Sequence, residues 1–575
     1  MTIRQIAKRT WLESTISIVF ITIEVICQIL IPTFMANLID QGIQSQNQLE
    51  IYKWSGLIFL FAILSLICGA ISGVFASKAS GMLARDLRYE LFQKIQNFSF
   101  GNIDKFSTGS LIIRLTNDIT NIRMAYMNII RTMVRGPIML IGAVILGFIN
   151  STKLAWILLV ALVIMGTVFT VIFWIVYPKF KKSLEVMDQF NSKVQENLSA
   201  IKTIKSFNKE KHEFTNFEKF TLKLRDILMR NDKTIAWGQF TFLGLIFLSS
   251  LLISYLTTQN IVSTHGSGDL TIGILTSFVS YLWQVMISLM MIVMVAASII
   301  FARAGAARIA EVLSEESTIQ NVASPIKELK NFDIKYENVF LKYHENDENY
   351  TLKNINLEIK EGQTIGIVGS TGSGKSSLIQ LLPRLYDITE GKLTIGGIEV
   401  KDYDLEFLRD NVSMVLQKNV LFSGTLRENM QWGDPNVTDD EIEEVLRISS
   451  AHDFVFSKEE GLDQRVAQKG NNYSGGQKQR LCIARALIKK PKILIMDDST
   501  SAVDTKTDKQ IRMALRNNLP NTTKIIIAHR ISSIETADKI IVMKKGEISG
   551  FGTHQELLEN NEFYAGLYNS QNGGK

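Results

Sequence analysis

A glycine-rich stretch that directly follows an apolar run carries residue types able to hold phosphate groups. The stretch consists of Gly369, Ser370, Thr371, Gly372, Ser373, Gly374, Lys375 and Ser376, and Ser377 follows it. Where a strand, a glycine-rich turn and a helix opened by Lys and Ser follow one another, backbone N–H groups can surround phosphate oxygens. Lys375 would contact the β- and γ-phosphates of a nucleotide, and Ser376 would ligate Mg²⁺. The alternative, an ordinary glycine-rich turn, does not require all the fixed positions to match.

Two further segments downstream are of types that handle nucleotide phosphates. The apolar run Ile493–Asp497 ends in a carboxylate, an arrangement that holds Mg²⁺ near a phosphate loop. A predicted helix opens with Ser474, Gly475, Gly476 and Gln477. These residues offer hydroxyl and N–H donors to an anion, although they also suit a simple helix cap. Both segments are stronger evidence for a nucleotide site because they follow Lys375 in the same predicted domain.

Length and hydropathy indicate a membrane protein of several domains. The chain of 575 residues is too long for one core, 46% of its residues are apolar, and its mean hydropathy is +0.13. Apolar stretches long enough to cross a bilayer lie at residues 14–36, 54–76, 133–149, 154–177, 235–257 and 272–302. We therefore predict six membrane-spanning helices in contact with lipid.

The distribution of Lys and Arg predicts the orientation of these helices. Segments 78–131 and 179–233 are rich in Lys and Arg, whereas 40–52 and 234–302 contain neither. Because basic residues favour the cytoplasmic side, we expect the N-terminus, both long segments and everything after Arg303 to be cytoplasmic, in a chain of the plasma membrane. The net charge of +6 follows from this topology, so no nucleic-acid partner is expected.

Cysteine usage and the N-terminus add two smaller expectations. Cys27, Cys68 and Cys482 lie far apart without metal-ligand spacing, so we expect free thiols. The basic lead at residues 1–10 has no short apolar core with a cleavage site, so we expect no removable signal peptide.

Helical periodicity in both basic segments predicts that the spanning helices continue beyond the membrane. Turn residues at 100–109 interrupt the first pattern, and 197–207 is a candidate for the equivalent bend in the second. We expect these bends to contact an ATP-binding domain; the alternative is a solvated turn without coupling.

The C-terminal part of the chain reads as a soluble α/β domain. Short β-rich runs at 364–368, 413–416, 493–496, 524–528 and 539–543 alternate with helical patterns, which predicts a largely parallel sheet. We therefore divide the chain into a transmembrane domain at 1–302, a polar linker at 303–331 and a nucleotide-binding domain at 332–575. The predicted fold is a six-helix membrane domain with long cytoplasmic extensions, fused to an α/β phosphate-loop domain.

The motifs, taken in order, resemble the complete series of an ATP-binding-cassette (ABC) protein. The series comprises 369–376, Gln417, 473–477, 493–497, 501–504 and His529. Six spanning helices before one cassette are similar to an exporter half-transporter of the bacterial multidrug type. The resemblance covers nearly the whole chain and implies ATP and Mg²⁺ as ligands.

Roles for individual residues follow from this resemblance. Tyr343 would stack on adenine, and Ser376, Gln417 and Asp497 would hold Mg²⁺. Gln417 would also sense the γ-phosphate, which His529 would contact.

A second set of residues would act on the nucleotide held by an opposite cassette. Ser474, Gly475 and Gly476, with Gln477, would cap the γ-phosphate of that ATP, and Asp504 would link the two sites across a dimer. The resemblance therefore implies a second half-transporter as partner.

One position departs from the family pattern. After Asp497 the family usually has Glu, which orients the attacking water, whereas this chain has Asp498. Because Asp is one methylene shorter, its carboxylate should fall on the order of 1 Å short of the water, and such misplacement costs about a hundredfold in rate. We expect the site built on Lys375 to bind ATP and hydrolyse it poorly. Smaller departures are Tyr473, where Leu is usual, and Ala467–Gln468, where Gly-Glu is common.

This asymmetry resembles one half of a heterodimeric exporter, whose partner would supply the catalytic Glu. The ATPase would then be competent only with that partner and would export drugs or amphipathic compounds. Alternatives are a homodimer with Asp498 as a slow base, a lipid flippase, and an ATP-gated channel or regulatory subunit. A channel should have a conductive path lined by fixed charge, which 272–302 does not offer.

Candidate substrate contacts lie in the predicted membrane helices. Glu24, mid-way along the first, would attract a cationic substrate; alternatively it is protonated or bonded to a neighbouring helix. Met286, Met290 and Met294 recur every four residues on the sixth, which suits varied apolar ligands or simple packing.

Overall fold

The computed structural model describes residues 3–263, 269–329, 331–344, 347–498 and 503–572. The chain forms two compact units. The first comprises Met1–Gln96 and Thr108–Glu315, and the second comprises Asn97–Ser107 and Glu316–Lys575.

Long helices make up the first unit. Its helices are α1 (Ile3–Ala7), α2 (Trp11–Asn37), α3 (Gln48–Gln96), α5 (Thr108–Ile113), α6 (Ile119–Asn150), α7 (Thr152–Ser199), α8 (Ile201–Ser206), α9 (Glu210–Ser263) and α10 (Ile272–Ser314), whereas α4 (Phe100–Lys105) belongs to the second unit. A 3₁₀ turn at Lys8–Thr10 and π-helical segments at Leu38–Ile43 and Arg114–Asp118 join neighbouring helices. Within the described residues, six helical stretches are long and apolar enough to span a bilayer, as predicted. At 49 and 54 residues, α3 and α9 far exceed the roughly 20 needed for one crossing.

The sixth apolar helix extends further than the sequence predicted. We assigned residues 303–331 to a linker, but α10 continues to Ser314. Ile309 and Val312 on this extension are fully buried, which explains why a locally polar sequence stays helical. Residues 303–314 of the segment that we assigned to a linker are therefore helical.

A buried charge pair ties this extension to the segment before α6. Asp118 is 2% exposed, and Arg308 donates from Nε to Asp118 Oδ2 (2.8 Å) and from Nη2 to Oδ1 (2.5 Å). Gly305 permits the approach, because a Cβ there would lie 3.0 Å from Asp118 Cβ. The pair therefore joins two spanning segments.

Replacing Arg308 by Met is expected to destabilise the first unit by about 2 kcal/mol, because it leaves the Asp118 carboxylate buried and unpaired. This value is below the usual cost of breaking a buried pair, since the Arg308 side chain is 46% exposed. Thermal unfolding in detergent would measure the loss. Arg303→Gln, at an exposed arginine of the same helix, is the control. An unfolding temperature equal to that of the control would contradict the prediction.

Strands and short helices form the second unit. Its strands are β1 (Ile334–Leu341), β2 (Leu352–Ile359), β3 (Thr364–Gly369), β4 (Glu390–Ile395), β5 (Ile398–Glu399), β6 (Val412–Val415), β7 (Gly424–Thr425), β8 (Arg465–Val466), β9 (Ile493–Asp497), β10 (Thr523–Ile527), β11 (Lys539–Lys544) and β12 (Glu547–Gly552). Its helices after α4 are α11 (Lys375–Gln380), α12 (Leu405–Asn411), α13 (Leu426–Met430), α14 (Asp439–Ile448), α15 (His452–Phe456), α16 (Gly475–Ile488), α17 (Thr505–Asn518), α18 (His554–Asn560) and α19 (Glu562–Asn572).

The main sheet positions the candidate site. Its strand order is β12-β11-β3-β10-β9-β6, and all neighbours are parallel except β11 and β12. The five predicted strands correspond to β3, β6, β9, β10 and β11 within one or two residues. Because parallel strands end at the same edge, the residues after β3, β9 and β10 come together there.

A second sheet was absent from the sequence prediction. Strands β2, β1, β4 and β5 form an antiparallel sheet in that order. Buried and exposed residues largely alternate along β2. The sequence prediction relied on continuous apolar runs, and an alternating strand does not form such a run. This sheet and the main sheet share one hydrophobic core that includes Ile355 and Ile367.

Candidate functional site

The phosphate loop has the strand, turn and helix that its sequence predicts. β3 ends at Gly369, and α11 begins at Lys375 after Gly374, whose φ of +95° is left-handed. This φ favours glycine, and a Cβ on Gly374 would in addition lie 2.8 Å from Leu352 Cδ2. The helix spans 375–380 and opens with Lys375 and Ser376, in the order that the motif predicts.

Inside this loop the lysine is buried and holds the backbone together. Lys375 Nζ donates to the carbonyl oxygens of Gly369 and Ser370, both at 2.9 Å. Burial lowers the pKa of Lys375, although the nearby carboxylates Asp497 and Asp498 oppose this change. The Ser373 side chain is buried as well, and its hydroxyl has no hydrogen-bond partner among the described residues. Such an orphaned group fits a loop that takes an anion, because a phosphate oxygen would supply the missing partner.

Two of the three predicted Mg²⁺ ligands meet at the end of β9. The Ser376 hydroxyl donates to Asp497 Oδ1 at 3.1 Å. Burial raises the pKa of Asp497, and the hydrogen bond from Ser376 partly offsets this. Hydroxyl and carboxylate oxygens suit Mg²⁺, so these residues fit the ion. Gln417 lies two residues beyond β6 with an exposed side chain, and within the described part of the chain no hydrogen bond joins it to Ser376 or Asp497.

Asp498, at the position of the residue that orients the attacking water, and His529, a candidate contact of the γ-phosphate, come together after β9 and β10. Asp498 Oδ2 lies 3.7 Å from His529 Nε2. The Asp498 backbone has a φ of +49°, and its N–H donates to the Ile527 carbonyl at 3.1 Å. Asp498 is therefore anchored by its own backbone, while the His529 side chain is 49% exposed.

Tyr343 lies beside the helix that follows the phosphate loop. Its hydroxyl donates to Ser377 Oγ at 2.8 Å, and its ring meets Tyr386 edge to face, with ring centroids 4.8 Å apart. Burial raises the pKa of Tyr343, so the phenol remains a neutral donor. Its role toward adenine stays a prediction.

The 474–477 motif opens α16 as a capping box. Ser474 Oγ accepts from the Gln477 N–H at 3.3 Å, and Gln477 Oε1 accepts from the Ser474 N–H at 2.9 Å. Asp504 is the N-cap of α17: its side chain accepts a hydrogen bond from the Thr507 N–H at 3.0 Å, and this bond lowers the pKa of Asp504. Among the hydrogen bonds of the described residues, none joins either cap to the phosphate loop. Ser501 and Ala502 lie outside the described residues.

A buried hydrogen bond accommodates the unusual Tyr473. Its side chain is 6% exposed, and its hydroxyl donates to Gln464 Oε1 at 2.7 Å. Burial raises the pKa of Tyr473 to about 12.

Tyr473→Phe is expected to lower the stability of the second unit by about 1 kcal/mol, because it removes this hydrogen bond while keeping the ring. Thermal unfolding would measure the loss, and nucleotide binding should not change. Tyr568→Phe, at a tyrosine of α19, is the matched control. An unfolding temperature unchanged by Tyr473→Phe would contradict this prediction.

Family comparisons agree with the two units. The ABC transporter transmembrane region matches residues 14–304, and the ABC transporter domain matches residues 352–501. Over 561 residues the chain is 33% identical to the uncharacterized ABC transporter ATP-binding protein YfiB of Bacillus subtilis (strain 168), covering 97% of this chain and 96% of that protein. The chain belongs to the ABC transporter family.

A further relative and a solved structure are similar to the chain over nearly its whole length. Over 546 residues the chain is 30% identical to a Rickettsia typhi protein provisionally named an export ATP-binding/permease protein, covering 94% of each. A solved bacterial Atm1-family ABC exporter with ATP bound shares the fold, with a TM-score of 0.81, 22% identity and coverage of 98% of this chain and 99% of that one. The chain is thus a multi-pass ABC transporter that carries a membrane region and an ATP-binding region in one polypeptide.

In this ABC transporter the Glu24 carboxylate is paired with the Arg135 guanidinium. Arg135 Nη1 lies 2.9 Å from Glu24 Oε1, and Arg135 Nη2 donates to Gln28 Oε1 at 2.7 Å. A Cβ on Gly69 would lie 2.9 Å from Glu24 Oε2, so the carboxylate is closely packed. This arrangement favours the alternative in which Glu24 bonds a neighbouring helix over the one in which it attracts a cationic substrate.

The three candidate methionines on α10 differ in how far their side chains are exposed. Met286 packs against a core cluster that includes Phe278 and Val285. By contrast, Met290 is 52% and Met294 is 65% exposed. The packing interpretation therefore applies to Met286, and the substrate interpretation stays a prediction for the other two.

The sequence did not predict which residues of the first bend would make its contacts. Residues 97–107 cluster with the cassette, as we expected, and Asp104 Oδ2 accepts from the Tyr386 hydroxyl at 2.7 Å. Ser99 and Asn102 form a capping box, and the Asn102 side chain donates to the Glu316 carbonyl at 3.0 Å. The spacing of Ser99 and Asn102 was the available signal for α4. The second bend contains α8 (Ile201–Ser206), and its contact with an ATP-binding domain stays a prediction.

Proposed function

We propose that this chain is one half of a heterodimeric exporter of amphipathic compounds or drugs, in which its own ATP site is degenerate. The observation that carries the proposal is Asp498, which directly follows Asp497 where the family usually has Glu. The partner supplies that Glu in a second site.

The surroundings of Asp498 support a weak base. The backbone hydrogen bond to Ile527 ties the residue to the end of β10, so the main chain cannot simply advance to replace the missing methylene. A carboxylate held on the order of 1 Å short of the attacking water loses about a hundredfold in rate. The site on Lys375 therefore binds ATP and turns it over slowly.

The cap at the start of α16 supports a working partner site. The side chains of Ser474 and Gln477 each accept a hydrogen bond from the other residue's backbone N–H. This arrangement preorganises the backbone N–H groups of Gly475 and Gly476 to donate to an anion. In the dimer these residues face ATP held by the partner, and Asp504 connects the two sites. The hydrolysed ATP is therefore the partner's.

Each residue of the chain's own site has a defined task. Lys375 and the loop N–H groups bind phosphates, Tyr343 stacks on adenine, and His529 donates toward the γ-phosphate. Ser376, Gln417 and Asp497 hold Mg²⁺, which neutralises phosphate charge when bound. ATP binding closes the cassettes, and the bends between the helices transmit closure to the spanning segments.

Location and orientation follow from the basic segments. Because Lys and Arg are concentrated at 78–131 and 179–233, the cassette and N-terminus lie in the cytoplasm and the helices lie in the plasma membrane. Substrate leaves the cytoplasm or the inner leaflet.

Transport in inside-out vesicles containing this chain and a Glu-bearing partner tests the proposal. We expect ATP-dependent accumulation of a fluorescent amphipathic cation, which the Gly475→Asp variant abolishes. Movement of a fluorescent phospholipid in place of the dye would instead establish the flippase. An ATP-dependent ion current without dye transport would establish the channel.

A further inference from the structure

The C-terminal helix makes a two-point contact with the loop that carries His529. Gln571 on α19 donates from Nε2 to the His529 carbonyl at 2.9 Å, and its Oε1 accepts from the Ile531 N–H at 2.8 Å. One side-chain amide thus binds the backbone groups on both sides of Arg530, namely the His529 carbonyl and the Ile531 N–H. A donor on the carbonyl and an acceptor on the N–H restrict rotation of this segment.

The helix that presents Gln571 is itself fixed to the cassette. Tyr564 of α19 is fully buried, and its hydroxyl pairs with His554 Nδ1 at 2.7 Å. Leu567 and Tyr568 pack against the same core as β11. Gln571 therefore extends from a supported helix.

The far end of the His529 loop has a separate anchor. Ser533 Oγ donates to Asp508 Oδ2 at 3.0 Å, and Asp508 is 4% exposed beside Arg512. On the near side, the Ala528 N–H donates to the Ile367 carbonyl at 3.2 Å. The segment 529–531 lies between these two anchors, and Gln571 contacts it there.

We propose that Gln571 is a positioning residue for His529, holding its main chain so that the imidazole can meet the γ-phosphate of ATP at this chain's own site. This inference rests on the role of His529 in the proposed function. Because hydrogen bonds weaken steeply with poor alignment, release of the 529–531 backbone should weaken the contact that distinguishes ATP from ADP. Binding of the parts common to both nucleotides should not change.

The test measures the preference of this chain for ATP over ADP. The full-length chain in lipid nanodiscs, with and without its partner, is labelled on ice with a photoreactive adenine nucleotide, and displacement by ATP and by ADP is read from the band of this chain. Loss of a charge-assisted hydrogen bond in His529→Ala should lower the ATP/ADP preference about tenfold. Gln571→Ala should lower it about three- to fivefold.

Matched variants separate positioning from folding. Gln571→Glu keeps the size of the side chain but places a carboxylate oxygen against the His529 carbonyl, so it should lose at least as much preference as Gln571→Ala. Asn569→Ala, at an exposed amide of the same helix, should retain the wild-type preference. In the double variant His529→Ala, Gln571→Ala, no loss beyond that of His529→Ala is expected.

Each outcome bears on one step of the inference. A merely structural role for Gln571 would weaken ATP and ADP equally and leave their ratio unchanged, which would overturn the inference while His529→Ala still loses preference. A His529→Ala variant with the wild-type ratio would refute the role of His529 itself, and the positioning role with it.

Discussion

ATP turnover at this chain's own site is expected to rise about a hundredfold when Asp498 is replaced by Glu. The substitution adds the methylene that separates the present carboxylate from the attacking water. Main-chain anchoring of residue 498 on Ile527 is unaffected, so the longer side chain extends from a fixed point. His529, now 3.7 Å from Asp498, remains next to the new carboxylate.

The measurement requires a pair in which the partner's catalytic Glu is replaced by Gln, so that only this chain's site contributes. Asp498→Asn in the same background is the control and should show no gain. If Asp498→Glu leaves turnover at the level of Asp498→Asn, the missing methylene is not what limits this site.

Gly475→Asp is expected to lower ATP turnover of the pair about a hundredfold or more. The new carboxylate would lie where N–H groups of α16 would face the γ-phosphate held by the partner. Its negative charge would repel that phosphate, which the N–H groups would otherwise attract. Folding should be preserved, because a carboxylate in the first turn of a helix is favourable. In the same unit, α14 already begins with Asp439 and Asp440.

Lys375→Ala in this chain provides the contrast. It impairs nucleotide binding at the slow site only, so turnover of the pair should fall far less than with Gly475→Asp. Thermal unfolding of both variants checks that the fold is retained. Equal losses from the two substitutions would contradict the assignment of hydrolysis to the partner-built site.

Most of the nucleotide site could be predicted because its residues are consecutive or end neighbouring strands. Asp497 ends the apolar run that became β9, and Lys375 and His529 follow those that became β3 and β10. Because these strands are adjacent, the three residues come to one edge of the sheet. The family resemblance assigned their roles. Asp498 was identified by its position alone, while its left-handed backbone was visible only in the structure.

What could not be predicted depends on contacts between distant segments. Arg135 lies 111 positions after Glu24, and no local pattern indicates that the two side chains meet. Gln571 likewise binds a backbone segment about 40 positions earlier, and an exposed glutamine near a helix end carries no signal of its own. The extension of α10 beyond residue 302 was missed because burial against other helices, and not local hydropathy, decides its end.

The central claim is that this chain supplies a slow ATP site and the cap of a fast one. The most direct test compares ATP turnover of the purified chain alone, of the chain with a Glu-bearing partner, and of that pair with the partner's Glu replaced by Gln. The account predicts fast turnover only in the intact pair, and a fall of about a hundredfold to the slow rate of this chain's own site with the Glu→Gln change. If the chain alone hydrolyses ATP at the rate of the pair, Asp498 is a working base and the homodimer is the correct assembly.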